Sequence, residues 1–263
     1  MTFVPVPGFA RLVEVTRSDP WVRWGLPRAE PLLAWQDADA DARAVAVSRT
    51  RQPYGTSLFL LPLDGAPLGP PTVAAALALI PAGREASLTV PAGSTAAVTA
   101  AWAAGGGVPG PGIGWEWRWT TSAPPAVPGE ERVVELAGAD PRVIGELSAM
   151  LTHSPRHSAT PGRDDVTGWA GVRVAGRLVA CAAWLELVPG VPLLASVAVH
   201  PDARRQGLAA ALTAWVTRRA LAAGAQAVTV DLYADNDTAR RVYERLGFAR
   251  AHDFVSWSPL TPG

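Results

Sequence analysis

Apolar positions along this chain come in short blocks whose spacing switches repeatedly between the strand period and the helix period, which predicts a mixed α/β protein. The second half is the clearer. Strands are expected at Arg132–Leu136, Gly168–Val174, Leu178–Leu187, Leu193–Val199, Ala227–Leu232 and Phe248–Trp257, and helices at Pro141–Leu151, Leu208–Ala223 and Asp237–Leu246. Turns at Ala175-Gly176 and Pro189-Gly190 join consecutive strands, and a polar loop with Pro155 and Pro161 precedes Gly168. This order mixes hairpins with βαβ units around one mixed sheet.

The first half reads as helical stretches within residues 8 to 36, strands Ala42–Ser48 and Ser57–Leu61, a helix Pro71–Leu79, a strand Ser87–Val90, a helix near Ser94–Trp102 and a strand Gly114–Thr120. Pro124 to Glu131 is the natural boundary, because two prolines, a Pro-Gly and paired acids favour an extended, exposed connection. Two domains follow, residues 1–125 and 130–263. The first echoes the element order of the second, and is either a degenerate second copy of the same fold or an unrelated cap. Trp115, Trp117 and Trp119 alternate with Glu116 and Arg118, so the indoles share one strand face, more readily packed on a core than lining a substrate wall. Trp21, Trp24 and Trp35 are weighed in the same way.

Composition narrows the function. The chain has 263 residues, 49% hydrophobic and 17% charged, enough for one large or two small cores. The 23 basic residues balance the 23 acidic ones, so no general field recruits nucleic acid or an anionic membrane. All the basic residues are Arg, which with abundant Ala, Gly and Pro points to a high-GC, bacterial coding genome. Cys181, the single cysteine, excludes an internal disulfide and reads as a small buried hydrophobe in a reducing cytosol. The N-terminus has no basic region before an apolar core, and Val73–Ile80 falls far short of the ~20 residues of a membrane span. A soluble, cytoplasmic protein is expected.

The chemistry concentrates after Leu193. The strand ends at Pro201-Asp202, and Arg204-Arg205-Gln206-Gly207 then leads without a second breaker into the helix from Leu208. A turn at a helix start leaves about four N–H groups without intrahelical partners and adds partial positive charge, a setting that suits a diphosphate. Asn236, Ala239, Tyr243 and Gly247-Phe248 follow at the next helix.

Over these residues the chain resembles the GNAT superfamily of N-acyltransferases. Their phosphate loop reads Gln or Arg, two residues, Gly, one residue, then Gly or Ala, which Arg204, Gly207 and Ala209 match. The ordered set spans about 55 residues. The resemblance implies a GNAT acyl-CoA N-acyltransferase fold in the second half, with acetyl-CoA as co-substrate and an amine as acceptor. The first half would then lack the phosphate loop, because Ser87-Leu-Thr-Val-Pro-Ala-Gly-Ser carries no Arg and no Gly-x-Gly or Gly-x-Ala turn.

For the diphosphate, the backbone from Arg205 through Gln206, Gly207, Leu208 and Ala209 to Ala210 would converge at the helix start, with charge from Arg204 and Arg205. The bland alternative for the two arginines is a solvated surface. For the pantetheine arm, the resemblance implies pairing with the backbone of Val197, Ala198 and Val199, in a gap between this strand and Ala227–Leu232. Asn236 would hydrogen-bond the arm, cap the helix, or both. For the reaction, the N–H near Val197 would hold the oxyanion. Tyr243 would protonate the leaving thiolate, the alternative being a tyrosine that merely packs.

No general base is named, since Leu193 stands where the family's Glu occurs. Glu186 reads better as a solvated strand-end charge, and a water relay through Ser196 needs no carboxylate. His200 reads as a turn residue, and Pro155 breaks the helix that His153 and His157 would need to hold a metal, so no metal is expected. Ala195, Ala198 and Leu232 suggest a narrow acetyl pocket. Acceptor selection is expected in the loop Thr152–Thr167, where Arg156, Arg163, Asp164 and Asp165 more readily face solvent. The competing class is an acyl-CoA sensor without catalysis, supported only by the missing base.

Overall fold

The structure is a computed structural model that describes residues 2–27, 33–37, 43–51, 55–80, 86–105, 110–154 and 156–260. Part of the helical stretch expected within residues 8 to 36, the first residue of the strand expected from Ala42, and Pro155 lie outside the described residues. In chain order, the first half gives β1 (Phe3–Pro5), α1 (Gly8–Val15), α2 (Pro20–Gly25), β2 (Leu33–Asp37), β3 (Ala44–Arg51), β4 (Gly55–Pro62), α3 (Pro70–Leu77), β5 (Ala86–Pro91), α4 (Thr95–Ala104) and β6 (Ile113–Thr120). The second half gives β7 (Val133–Leu136), α5 (Pro141–Leu151), β8 (Gly168–Val174), β9 (Arg177–Val188), β10 (Val191–Val199), α6 (Leu208–Ala222), β11 (Val228–Tyr233), α7 (Asp237–Arg245) and β12 (Ala249–Leu260).

Two compact units form. One comprises residues 1–117 with 233–235 and 251–263, the other residues 118–232 with 236–250. Residues 118–120 of β6 therefore belong with the second unit, and most of β12, the last strand of the chain, belongs with the first. No helix of the described residues is long and apolar enough to cross a membrane.

In the first unit the sheet order is β1-β2-β3-β4-β5-β12-β6. The pairs from β1 to β4 are antiparallel, β4 and β5 are parallel, and β5 and β12 antiparallel. Strand alternation divides the core. Leu58, Leu60, Leu88 and Val90 pack with Val73, Ala76, Ala97 and Val98 of α3 and α4. Phe59 faces the other way, 4.5 Å from the ring of Trp21 on α2, with Phe254 closing the cluster. Trp115 lies 4.8 Å from Phe254 and donates its indole N–H to Ser256 at 2.8 Å. Trp117 is buried, and so are Glu116, Arg118 and Thr120 on the opposite face of β6. These indoles take the packing role.

The second unit carries β7-β8-β9-β10-β11, antiparallel except for the last pair, β10 and β11, which is parallel. A parallel pair cannot be closed by a hairpin, so α6 crosses between the two strands and its start comes to the carboxyl end of β10. Alternation again assigns the faces. Ala180 and Ala182 of β9 meet the α6 side, whereas Cys181, Ala183 and Leu185 meet Leu147, Met150 and Leu151 of α5. Bulk is regulated closely at the edge of this face: a Cβ on Gly168 would sit 2.2 Å from the ring of Trp184. The proline segment before β7 is pinned to α6, since Arg218 bonds both carboxylate oxygens of Glu130 and the carbonyl of Pro125.

Helix α7 ends in a Schellman motif. The N–H of Phe248 bonds the carbonyl of Tyr243 at 2.9 Å, the N–H of Gly247 bonds that of Glu244 at 3.1 Å, and Gly247 takes φ +83°. The apolar contact typical of this motif joins Tyr243 and Phe248, whose rings are 5.6 Å apart.

Two outcomes follow. Burial pushes the Cys181 thiol up to about 12, so the native protein should leave Ellman's reagent unreacted at pH 8 and react fully in urea; native-state reaction at the rate of a free thiol would contradict this packing. Nothing lies within 4 Å of a Cβ on Gly247, so Gly247→Ala carries only the left-handed backbone penalty and should lower stability by about 1–2 kcal/mol in urea unfolding.

Candidate active site

The site begins with an irregularity in β10. Its pairing with β9 runs Ala195 to Ala183 and resumes Ala198 to Cys181, one residue out of step. The inserted residue is Ser196, with φ +50°. Because of this bulge, Ala195 and Ala198, three apart, both face the α5 side, while Leu194, Val197 and Val199 face the α6 side. A left-handed serine costs roughly 1–2 kcal/mol. Its hydroxyl is held in return: Oγ accepts the N–H of Ala159 at 2.8 Å and donates to the carbonyl of Ala159 at 3.3 Å. The loop Thr152–Thr167 is thereby tied to the bulge.

On the other side of β10 the parallel pairing is short. Leu193 pairs with Thr229 and Leu194 with Val230, and the registered pairing stops there. Ala195 to Val199 therefore run on without a registered partner on β11, next to the bulge. The turn beyond leads into an uncapped helix start. Arg204 is extended, Arg205 has φ +63°, and Gly207 has φ +77° at the N-cap of α6 with no side chain capping the helix. Nothing lies within 4 Å of a Cβ on Gly207. Arg204, Arg205 and Gln206 are exposed, Leu208 is buried, and Ala209 and Ala210 are half-buried. Arg204 leans back to the carbonyl of Val199 at 3.4 Å, linking turn to strand.

Asn236 sits at the N-cap of α7, where its Oδ1 accepts the N–H of Ala239 at 3.1 Å. The capping role is thus occupied. Tyr243, 6% exposed, packs among Leu208, Leu212, Leu232 and Phe248. Burial, with a smaller contribution from the Asp231 carboxylate, raises its phenol above the usual value near ~10. It stays a hydrogen-bond donor throughout the neutral range.

Other candidates take structural parts. Glu186 accepts the N–H of Gly190 at 2.5 Å and so fastens the β9–β10 hairpin. His200 accepts a hydrogen bond on Nε2 from Arg177 at 2.6 Å, and its Nδ1 accepts the N–H of Asp202 at 3.3 Å, capping the turn that follows β10. The ring of His153 stands edge-on to that of His200 at 4.6 Å, and His157 bonds the carbonyl of Ser154. Arg163 and Asp165 pair with each other. Among the described residues no three His, Cys, Asp or Glu converge as a metal site.

Two features escaped the sequence reading. The bulge leaves no pattern in Leu193–Val199, because its alanines and valines are compatible with either face. Arg118, whose guanidinium reaches Glu244 and Phe248, reads in sequence as the polar half of an alternating strand; only burial of that half identifies it.

The comparisons with known proteins agree with this geometry. Residues 132–248 match the model of the Acetyltransferase (GNAT) family. Among solved structures, the chain is similar to a GCN5-related N-acetyltransferase from Kribbella flavida, at 21% identity and TM-score 0.55, over 86% of this chain and 90% of that one. A GCN5-related N-acetyltransferase from Sphaerobacter thermophilus gives 21% identity and TM-score 0.51, over 94% and 85%. A GNAT-family protein from Novosphingobium aromaticivorans gives 19% and 0.50, over 95% and 97%. No curated protein matches. Residues 132–248 are thus similar to the GNAT family, and the mixed α/β fold of the chain is one that solved GNAT proteins share.

Proposed function

We propose that this protein is an N-acetyltransferase that moves an acetyl group from acetyl-CoA to a primary amine by direct attack on the thioester. The observation that carries the reading is the end of β10–β11 pairing after Leu194 and Val230, directly before an uncapped helix start at Gly207. The GNAT match over residues 132–248 supports acyl-CoA as the donor.

In this reading the pantetheine arm adds to the edge of Val197, Ala198 and Val199 that has no registered partner on β11. The diphosphate takes the N–H groups from Arg205 to Ala210, with Arg204 and Arg205 supplying charge. Asn236 borders the arm while capping α7. The acyl group lies at the bulge, where the buried Ala195 and Ala198 bring only methyl groups, which favours acetyl over longer chains; Leu232 lies in the core on the other face of the sheet and takes no part. The amine attacks the carbonyl, the oxyanion forms beside the Val197 N–H, and the thiolate leaves with Tyr243 as proton donor. A phenol above ~10 and a thiol near ~8.5 make full transfer uphill by at least about 2 kcal/mol. Tyr243 therefore acts mainly through a hydrogen bond to the developing thiolate. No carboxylate is assigned as base, and the acceptor is taken as an amine that loses its proton to water.

The first unit supports a companion reading, that it is a second copy of the same plan. Its order β1, α1, α2, β2, β3, β4, α3, β5, α4, with β4 and β5 parallel and α3 crossing between them, parallels β7, α5, β8, β9, β10, α6, β11, α7. The place equivalent to the phosphate turn is the segment before α3, not Ser87–Ser94 as the sequence suggested. There Pro70 and Pro71 open the helix and have no N–H to offer an anion. One acyl-CoA per chain is the consequence.

Calorimetric titration with acetyl-CoA, followed by thiol release against a panel of amines, tests the reading. One molar equivalent should bind, and Gly207→Asp should abolish binding through charge and bulk against the diphosphate; unchanged affinity in Gly207→Asp would place the donor elsewhere. Tyr243→Phe should keep the affinity and slow turnover roughly 10–100-fold, the lower end of general-acid effects. Because the raised phenol remains protonated beyond the normal tyrosine range, the wild-type rate should show no tyrosine-linked decline below about pH 10. A Tyr243-dependent fall near pH 8 would contradict the assignment.

A further inference from the structure

The Schellman turn that fixes Tyr243 is gripped by a residue from upstream of the proline segment. Arg118 lies on β6, is 3% exposed, and belongs to the second unit. Its Nη2 stands 2.9 Å from Oε1 of Glu244, and its Nη1 donates to the carbonyl of Phe248 at 3.3 Å. These two acceptors flank Tyr243 in the motif. Glu244 follows it in the helix, and Phe248 donates its N–H to the Tyr243 carbonyl while its ring sits tilted against the phenol, 5.6 Å away. A guanidinium is a planar fork, so holding both acceptors sets the rotation of the cap as well as its distance. A single charge near a helix C-terminus would already favour the dipole without either bond; burial and two-point contact go beyond that.

We propose that Arg118 is a positioning residue for Tyr243, holding the α7 cap so that the phenol stands where the departing thiolate forms. This rests on the reading of Tyr243 as proton donor. It also means that the acid of the second unit is set by a residue the sequence boundary at 124–131 would have left out.

The test is a double-mutant comparison in the full chain. Arg118→Met and Glu244→Ala should each lower kcat roughly tenfold, as small misplacements of catalytic groups do, while the Kd for acetyl-CoA stays unchanged. In a Tyr243→Phe background neither should lower kcat further. Equal losses in both backgrounds, or no loss in either, would overturn the proposal. Glu244 is half exposed, so Glu244→Ala keeps the test available if Arg118→Met does not fold. A second readout is independent of turnover. The chain has three tyrosines, so 19F NMR of 3-fluorotyrosine-labelled protein gives three resonances, with that of Tyr243 identified by its loss in Tyr243→Phe. Glu244→Ala should shift that resonance; an unmoved Tyr243 signal would overturn the positioning role even in a protein that transfers no acetyl group.

Discussion

Two parallel strands that pair at Leu193 and Leu194 and then cease to pair are the constraint on which the site depends. Parallel strands require a crossover, so α6 starts at the end of β10 where the pairing has already lapsed. The free strand edge and the unsatisfied helix start are thus consequences of one topological fact. The bulge at Ser196 sharpens it by moving one residue out of the ladder, at the expense of a strained backbone that the loop Thr152–Thr167 secures through Ala159. A donor with an amide-bearing arm and a diphosphate matches the two halves of this arrangement.

The second layer is the cap of α7. Tyr243 is held by backbone geometry below its ring. Two Schellman hydrogen bonds, a glycine at positive φ and a tyrosine–phenylalanine contact fix the ring, and Arg118 fixes the turn. The sequence pattern Tyr243…Gly247-Phe248 is the outward sign of that motif. Burial of the ring explains both the raised phenol and the limited proton-donating power assigned to it.

Much of the fold was legible because its elements are strongly periodic. Gly168–Val174 and Pro141–Leu151 coincide with β8 and α5, and α6, α7 and β10 differ from expectation by one or two residues. The short strands β1 and β2 were not legible: three and five residues flanked by irregular chain carry too little pattern. Membership of units was hidden for another reason. Pairing of β12 with β5 is a long-range choice that neither strand's own sequence records. The uncapped turn before α6 was readable because its pattern is local, whereas Ser196 and Arg118 act through contacts 37 and 130 positions away.

The first unit gives an internal contrast, since the same crossover there opens with Pro70-Pro71 in place of free N–H groups. Hydrogen–deuterium exchange of the whole chain with and without acetyl-CoA measures this contrast most directly. The account predicts slowed exchange confined to Ala195–Val199 and Arg205–Ala211, with no change at Leu60–Thr72. Unchanged exchange at the β10 edge and the Gly207 turn, or protection at the start of α3, would contradict it.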